Sequence, residues 1–140
     1  MMMSATQLLY CLVLGGVYLI IVTLIMEFLT RRLSLFKGFP DPLVEKISGG
    51  WLVLLMIMEF LFFVVIPTVS YSFFYLVMPF SGIRAGMAGA LYAFTLGAVP
   101  IVMGLSMRIK LPMPYLLFLL LSYLVKLGGA MVIIAYLYVL

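Results

Sequence analysis

Four long apolar runs, separated by short stretches that hold most of the charges and turn-forming residues, set the pattern of this chain. They cover about residues 5–28, 51–78, 83–107 and 113–140. A bilayer hydrocarbon core of about 30 Å needs about 20 apolar residues in a helix, and each run supplies that length. In a solvent without water, backbone hydrogen bonds must close within each segment, so the runs are read as helices. The expected fold is all-α: an integral membrane four-helix bundle forming a single domain over residues 1–140. A short interfacial segment is expected between the first two spans.

The first run lacks a basic n-region and a small-residue cleavage site, and is expected to be a retained span rather than a signal peptide. Gly15 and Gly16 mark a place for close helix approach. The connection after it, residues 30–50, carries Arg31, Arg32, Lys37 and Lys46 against Asp41 and Glu45. It also holds Phe36, Phe39, Leu43, Val44 and Ile47, too apolar for a solvated linker, so it is expected to lie along the membrane surface. Asp41 is expected to cap a short helix starting with Pro42, and Gly49-Gly50 to end it. Trp51 is an interfacial anchor for the second span. Pro67 and Pro100 predict kinks in the second and third spans, because proline cannot donate the backbone bond its neighbours make.

The third run carries a stripe of small residues: Gly82, Gly86, Ala90, Ala93, Gly97 and Gly104. Their spacing keeps them on one helical face, where small side chains let helices approach closely in lipid. The face predicts helix packing, within the chain or between subunits.

Composition changes the picture mainly by exclusion. The chain has 140 residues, 68% hydrophobic and 9% charged, too apolar for a soluble domain. Its net charge of +4 lies mostly in the connections, where topology accounts for it without a nucleic-acid partner. There is no His, and Cys11 is alone, which removes His-ligated haem, His-containing zinc sites and dithiol chemistry. No Ser-His-Asp set, metal cluster or phosphate-binding loop is present, so no cofactor, no metal and no enzymatic activity are expected. In size and span count the chain is similar to the small multidrug transporters. It departs from them in its first span, where Glu27 lies near the end and no carboxylate lies at mid-membrane.

Basic residues also set the expected orientation. The first and third connections together hold Arg31, Arg32, Lys37, Lys46, Arg108 and Lys110, whereas the other side has Arg84. The positive-inside rule then places both termini outside the cytoplasm, with a bacterial inner membrane as the expected setting. Arg84, near the start of the third span, is expected to meet a lipid phosphate or an acidic partner. Glu27, four residues before Arg31, has the spacing of an interfacial ion pair.

Two charges lie deep inside apolar runs. At 1.5 Å per residue from the same membrane face, Glu59 is roughly 14 Å deep and Lys126 roughly 20 Å deep. The second and fourth spans run parallel, so the long Lys stem can bridge the difference if the helices are neighbours. Ser122 and Gly129 share the Lys126 face and leave a small open patch around it. A charge at this depth costs roughly 2.5–3.5 kcal/mol, so a pair is the expected compensation.

The leading expectation is a non-catalytic small subunit or scaffold of a larger membrane assembly, in contact with lipids and with other membrane subunits or its own copies. The alternatives are a small oligomeric ion- or proton-coupled transporter or channel using Glu59 and Lys126, and a lipid- or quinone-binding membrane protein.

Overall fold

A computed structural model describes residues 4–140. Four helices account for most of them: α1 (Ala5–Arg32), α2 (Gly49–Phe74), α3 (Gly82–Arg108) and α4 (Met113–Val139). The described residues contain no strand. All four helices are long and apolar enough to cross a membrane, compatible with a multi-pass integral membrane protein. Short connections alternate their direction, so α2 and α4 run parallel to each other and antiparallel to α1 and α3.

Local sequence explains where the helices start. Ser4 accepts the backbone N–H of Gln7, and the Gln7 side chain accepts that of Ser4, a reciprocal capping box ahead of α1. At α2 the cap is Ser48, whose hydroxyl accepts the Trp51 N–H at 3.2 Å. Gly49 and Gly50 therefore open this helix rather than ending a preceding one. The expected surface helix shrinks to a single 3₁₀ turn, Asp41–Leu43, in which Asp41 makes no side-chain cap. Gly82 opens α3 at φ +59°, a left-handed conformation that glycine adopts without steric penalty.

Both prolines sit in the same local device. α2 widens into a π turn at Leu61–Val65 and α3 at Phe94–Ala98, each followed two residues later by proline, Pro67 or Pro100. A proline ring collides with the carbonyl four residues back and cannot donate to it. The wider turn removes that conflict while the helix continues.

The helix α4 is the hub. α1, α2 and α3 all pack on it, and α1 also touches α2. No Cα of α3 lies within 8 Å of a Cα of α1 or α2, so among the spans α3 leans on α4 alone. The core between them includes Cys11, Tyr71, Ala85, Ala90, Met131, Ile134 and Ala135. At Gly86 an added Cβ would stand 2.6 Å from the Met131 carbonyl oxygen and 2.8 Å from the Val132 Cα. The two backbones thus touch directly, the contact that small residues permit in lipid.

The small-residue stripe follows this contact for half its length only. Gly86 and Ala90 are buried against α4, together with Ala85 and Gly89, and Gly82 is half-buried near Val139. Ala93 and Gly104 are exposed, and a Cβ added at Gly97 or Gly104 would meet nothing within 4 Å. For Gly97 and Gly104, which lie within and beyond it, the π turn at Phe94–Ala98 is the reason. It adds a residue to the turn, so the more buried line beyond it passes through Phe94, Val99, Val102 and Ser106, and the remaining small residues rotate off the α4 face.

Candidate functional site

The structure brings Glu59 and Lys126 together. Lys126 Nζ donates to Glu59 Oε1 at 2.5 Å, and the two side chains are 5% and 11% exposed. α2 supplies the carboxylate and α4 the ammonium, from parallel helices within one chain. The second carboxylate oxygen accepts the hydroxyl of Thr23 on α1, also at 2.5 Å. Three helices therefore meet at one carboxylate, both of whose oxygens are engaged. Burying charges away from water is tolerable when they are paired and hydrogen-bonded in this way.

A second tie lies beside the first. The Tyr18 hydroxyl of α1 donates to the Val125 carbonyl at 2.8 Å, one residue before Lys126. Gly129 makes the room: a Cβ there would fall 2.0 Å from the Tyr18 ring. The patch expected to be open beside Lys126 is thus filled on its Gly129 side, while Ser122 is buried on the other. Gly15 and Gly16 act similarly lower on α1, against Val64 and Phe60 of α2.

Sequence reasoning missed both Thr23 and Tyr18, although the depth count that places Glu59 also applies to α1. Counting back from Arg32, Thr23 lies about 14 Å and Tyr18 about 21 Å from the same end, level with Glu59 and Lys126.

The remaining charged candidates are not brought together. Among the described residues Lys126–Glu59 is the only ion pair, so Glu27 and Arg31 do not form the bridge their spacing favours. Helical pairs of this kind contribute about 0.3–0.5 kcal/mol. The exposed Arg31 instead belongs to the last turn of α1, where a cation complements the free carbonyls. Arg84 is exposed and unpaired, and helical periodicity puts it opposite the α3 residues that face α2.

Between α2 and α3, with α4 as its floor, runs a groove of about 950 Å³. Its wall on α2 includes Met58, Glu59, Phe62, Phe63, Pro67 and Tyr71, and on α3 Gly89, Tyr92, Ala93, Leu96 and Gly97. Both π turns border it, and Tyr123, Leu127 and Met131 of α4 close its back. At the end remote from the basic connections, Tyr138 packs on Tyr71 and Tyr75 with ring centroids 5.2 and 4.7 Å apart. The Tyr138 hydroxyl is the one buried side-chain polar atom among the described residues without a partner.

Among the described residues no three His, Cys, Asp or Glu side chains cluster as metal ligands. No protein-family model matches this chain, and comparison with curated proteins and with solved structures finds no match either.

Proposed function

We propose that this protein is a non-catalytic small subunit or scaffold of a larger membrane assembly. The observation that carries the reading is the pairing of Glu59 with Lys126, the one ion pair among the described residues. Glu59 gives one oxygen to Lys126 and the other to Thr23, so both oxygens already tie α2 to its neighbours. The arrangement of α3 adds to it. Held by α4 alone, α3 leaves Gly104 exposed, in the part of the stripe that has no packing role within the chain. Small residues on a membrane helix favour close approach of another helix, from a second copy or a different subunit. The orientation that accompanies this reading has both termini outside the cytoplasm, because the basic residues collect in the first and third connections.

Native mass spectrometry of protein extracted in a mild detergent tests the proposal. A stoichiometric complex, with itself or with another membrane protein, is expected, and a strictly monomeric species overturns it. The transport alternative separates through Glu59→Gln and Lys126→Met in proteoliposomes. Loss of flux with helix packing intact favours transport, whereas loss of folding or assembly favours the structural tie.

A further inference from the structure

The first connection does not trail loosely between α1 and α2. Residues 33–39 pass through successive turns, with the Lys37 N–H donating to the Ser34 carbonyl at 2.9 Å and the Phe39 N–H to the Phe36 carbonyl at 3.1 Å. Gly38 turns the chain at φ +99°, a conformation open to glycine. The turns carry Phe36 and Phe39 onto Tyr115 at the start of α4. Centroid distances among the three rings are 5.8, 5.5 and 5.4 Å, the spacing of favourable aromatic contacts. Tyr115 follows closely on Lys110, so the rings clamp the first connection to the third although the two lie far apart in sequence.

Positive charge collects on the joined surface. Arg31, Arg32, Lys37, Lys46, Arg108 and Lys110 are all exposed, and none forms an ion pair with a described residue. Glu27, Asp41 and Glu45 at the same end of the bundle leave three positive charges in excess. Leu33, Leu43 and Ile47 stand exposed among the cations. Setting the topology needs basic residues on one side, but neither a clamp between connections nor apolar side chains between the charges. An acidic protein segment would neutralise the cations and leave those side chains in water. A lipid leaflet answers both, since apolar side chains sink below the headgroups while Lys and Arg stems reach back to them. Clusters of roughly four to eight Lys or Arg residues beside a membrane span attract anionic lipids, and this surface has that number.

We propose that the two joined connections form a recognition surface for anionic phospholipids, with the apolar side chains set in the leaflet and the cations at its headgroups. The proposal does not depend on the subunit reading. A strictly monomeric protein would remove that reading and leave this one standing.

Trp51, the one tryptophan of the chain, opens α2 at this face and reports on the lipids beside it. The test reconstitutes the full chain in vesicles of phosphatidylcholine and phosphatidylglycerol, with bromine on the acyl chains of one lipid or the other. Quenching of Trp51 then gives their relative occupancy. Phosphatidylglycerol should be preferred about two- to fivefold at low salt. The preference should fall toward unity in about 1 M salt, where the Debye length shrinks to about 3 Å. Lys37→Gln/Lys46→Gln should roughly halve it, whereas Arg84→Gln, at the opposite membrane face, should leave it unchanged. Tyr115→Ala keeps every charge but removes the ring that joins the connections, and should weaken the preference too. Equal quenching by the two lipids overturns the proposal and leaves the cations to topology or to an acidic protein segment. A preference that survives high salt overturns its electrostatic basis, and an equal loss in Arg84→Gln overturns its location. An unaltered preference in Tyr115→Ala overturns the joined surface in favour of net charge alone. Where Tyr115→Ala does not fold, the salt series and the lysine variant still decide.

Discussion

α4 holds the helices on its two sides by opposite means. On one side α3 lies against it backbone to backbone at Gly86, and among the described residues no side-chain hydrogen bond joins the two helices. On the other side α2 and α1 reach it through Lys126, Glu59, Thr23 and Tyr18. Both solve the same problem, since lipid is as apolar as the side chains and gives helices no hydrophobic reason to associate. Glycine contact gains dispersion along a line and tolerates sliding by a turn. An ion pair gains little net free energy, because desolvation offsets the Coulomb attraction, but it admits one register only. The bundle therefore uses close packing for adhesion and buried charge for alignment.

Breaking the polar side should give the largest effect. Lys126→Met leaves the Glu59 carboxylate buried with only Thr23 beside it, and a loss of about 3–5 kcal/mol is expected. Reversible unfolding in bicelles measures it. The double variant Glu59→Leu/Lys126→Met should recover most of that loss, because it removes both charges together. Thr23 would then satisfy itself on the carbonyl four residues back, as Thr30 already does on Met26 at 2.8 Å. A double variant as unstable as the single would mean that the pair contributes adhesion as well as alignment.

Breaking the apolar side comes next. Gly86→Leu forces a side chain onto the Met131–Val132 backbone, where no rotamer can move the obstacle aside. Overpacking of this kind costs about 1–3 kcal/mol. Disulfide cross-linking between cysteines placed on α3 and α4 should fail in this variant, while cross-linking between α2 and α4 should persist. Simultaneous loss of both would show that the two sides fold as one unit.

A smaller effect sharpens the same comparison within the polar side. Tyr18→Phe removes one hydrogen bond to the Val125 carbonyl and keeps the ring in the Gly129 notch, so a loss of about 0.6 kcal/mol is expected, the typical value within membranes. A loss near that of Lys126→Met would mean that Tyr18 positions Lys126 rather than merely bracing its helix.

These contrasts also explain what the amino-acid sequence reveals. Span number and type follow from apolar length, and the helices found differ from the expected bounds by only a few residues at most ends. The juxtaposition of Glu59 and Lys126 is legible because both spans run the same way and depth is a simple count. Thr23 was overlooked because a lone Thr in an apolar run carries no charge to draw the count toward it. Prolines advertise kinks, but not that each kink would become a π turn. That omission matters at α3, where a single added residue separates Gly86 and Ala90, which touch α4, from Gly97 and Gly104, which do not. Helical spacing predicts a continuous face only while the helix keeps 3.6 residues per turn.

The smallest predicted effect lies at the far end of that interrupted stripe. Gly104 is exposed, and an added methyl there meets nothing within 4 Å. Gly104→Ala should therefore leave α3–α4 packing untouched. It should stabilise the isolated chain by at most about 1 kcal/mol, the usual difference between glycine and alanine in a helix. The same substitution at Gly86 must displace backbone and should destabilise, so opposite signs are expected from one chemical change on one helix. Measuring both by unfolding in bicelles tests whether the π turn divides α3 as described. If Gly104→Ala instead destabilises in native membranes while leaving the isolated chain unharmed, the outer half of the stripe is in use against another helix. That result would supply the contact on which the subunit proposal depends.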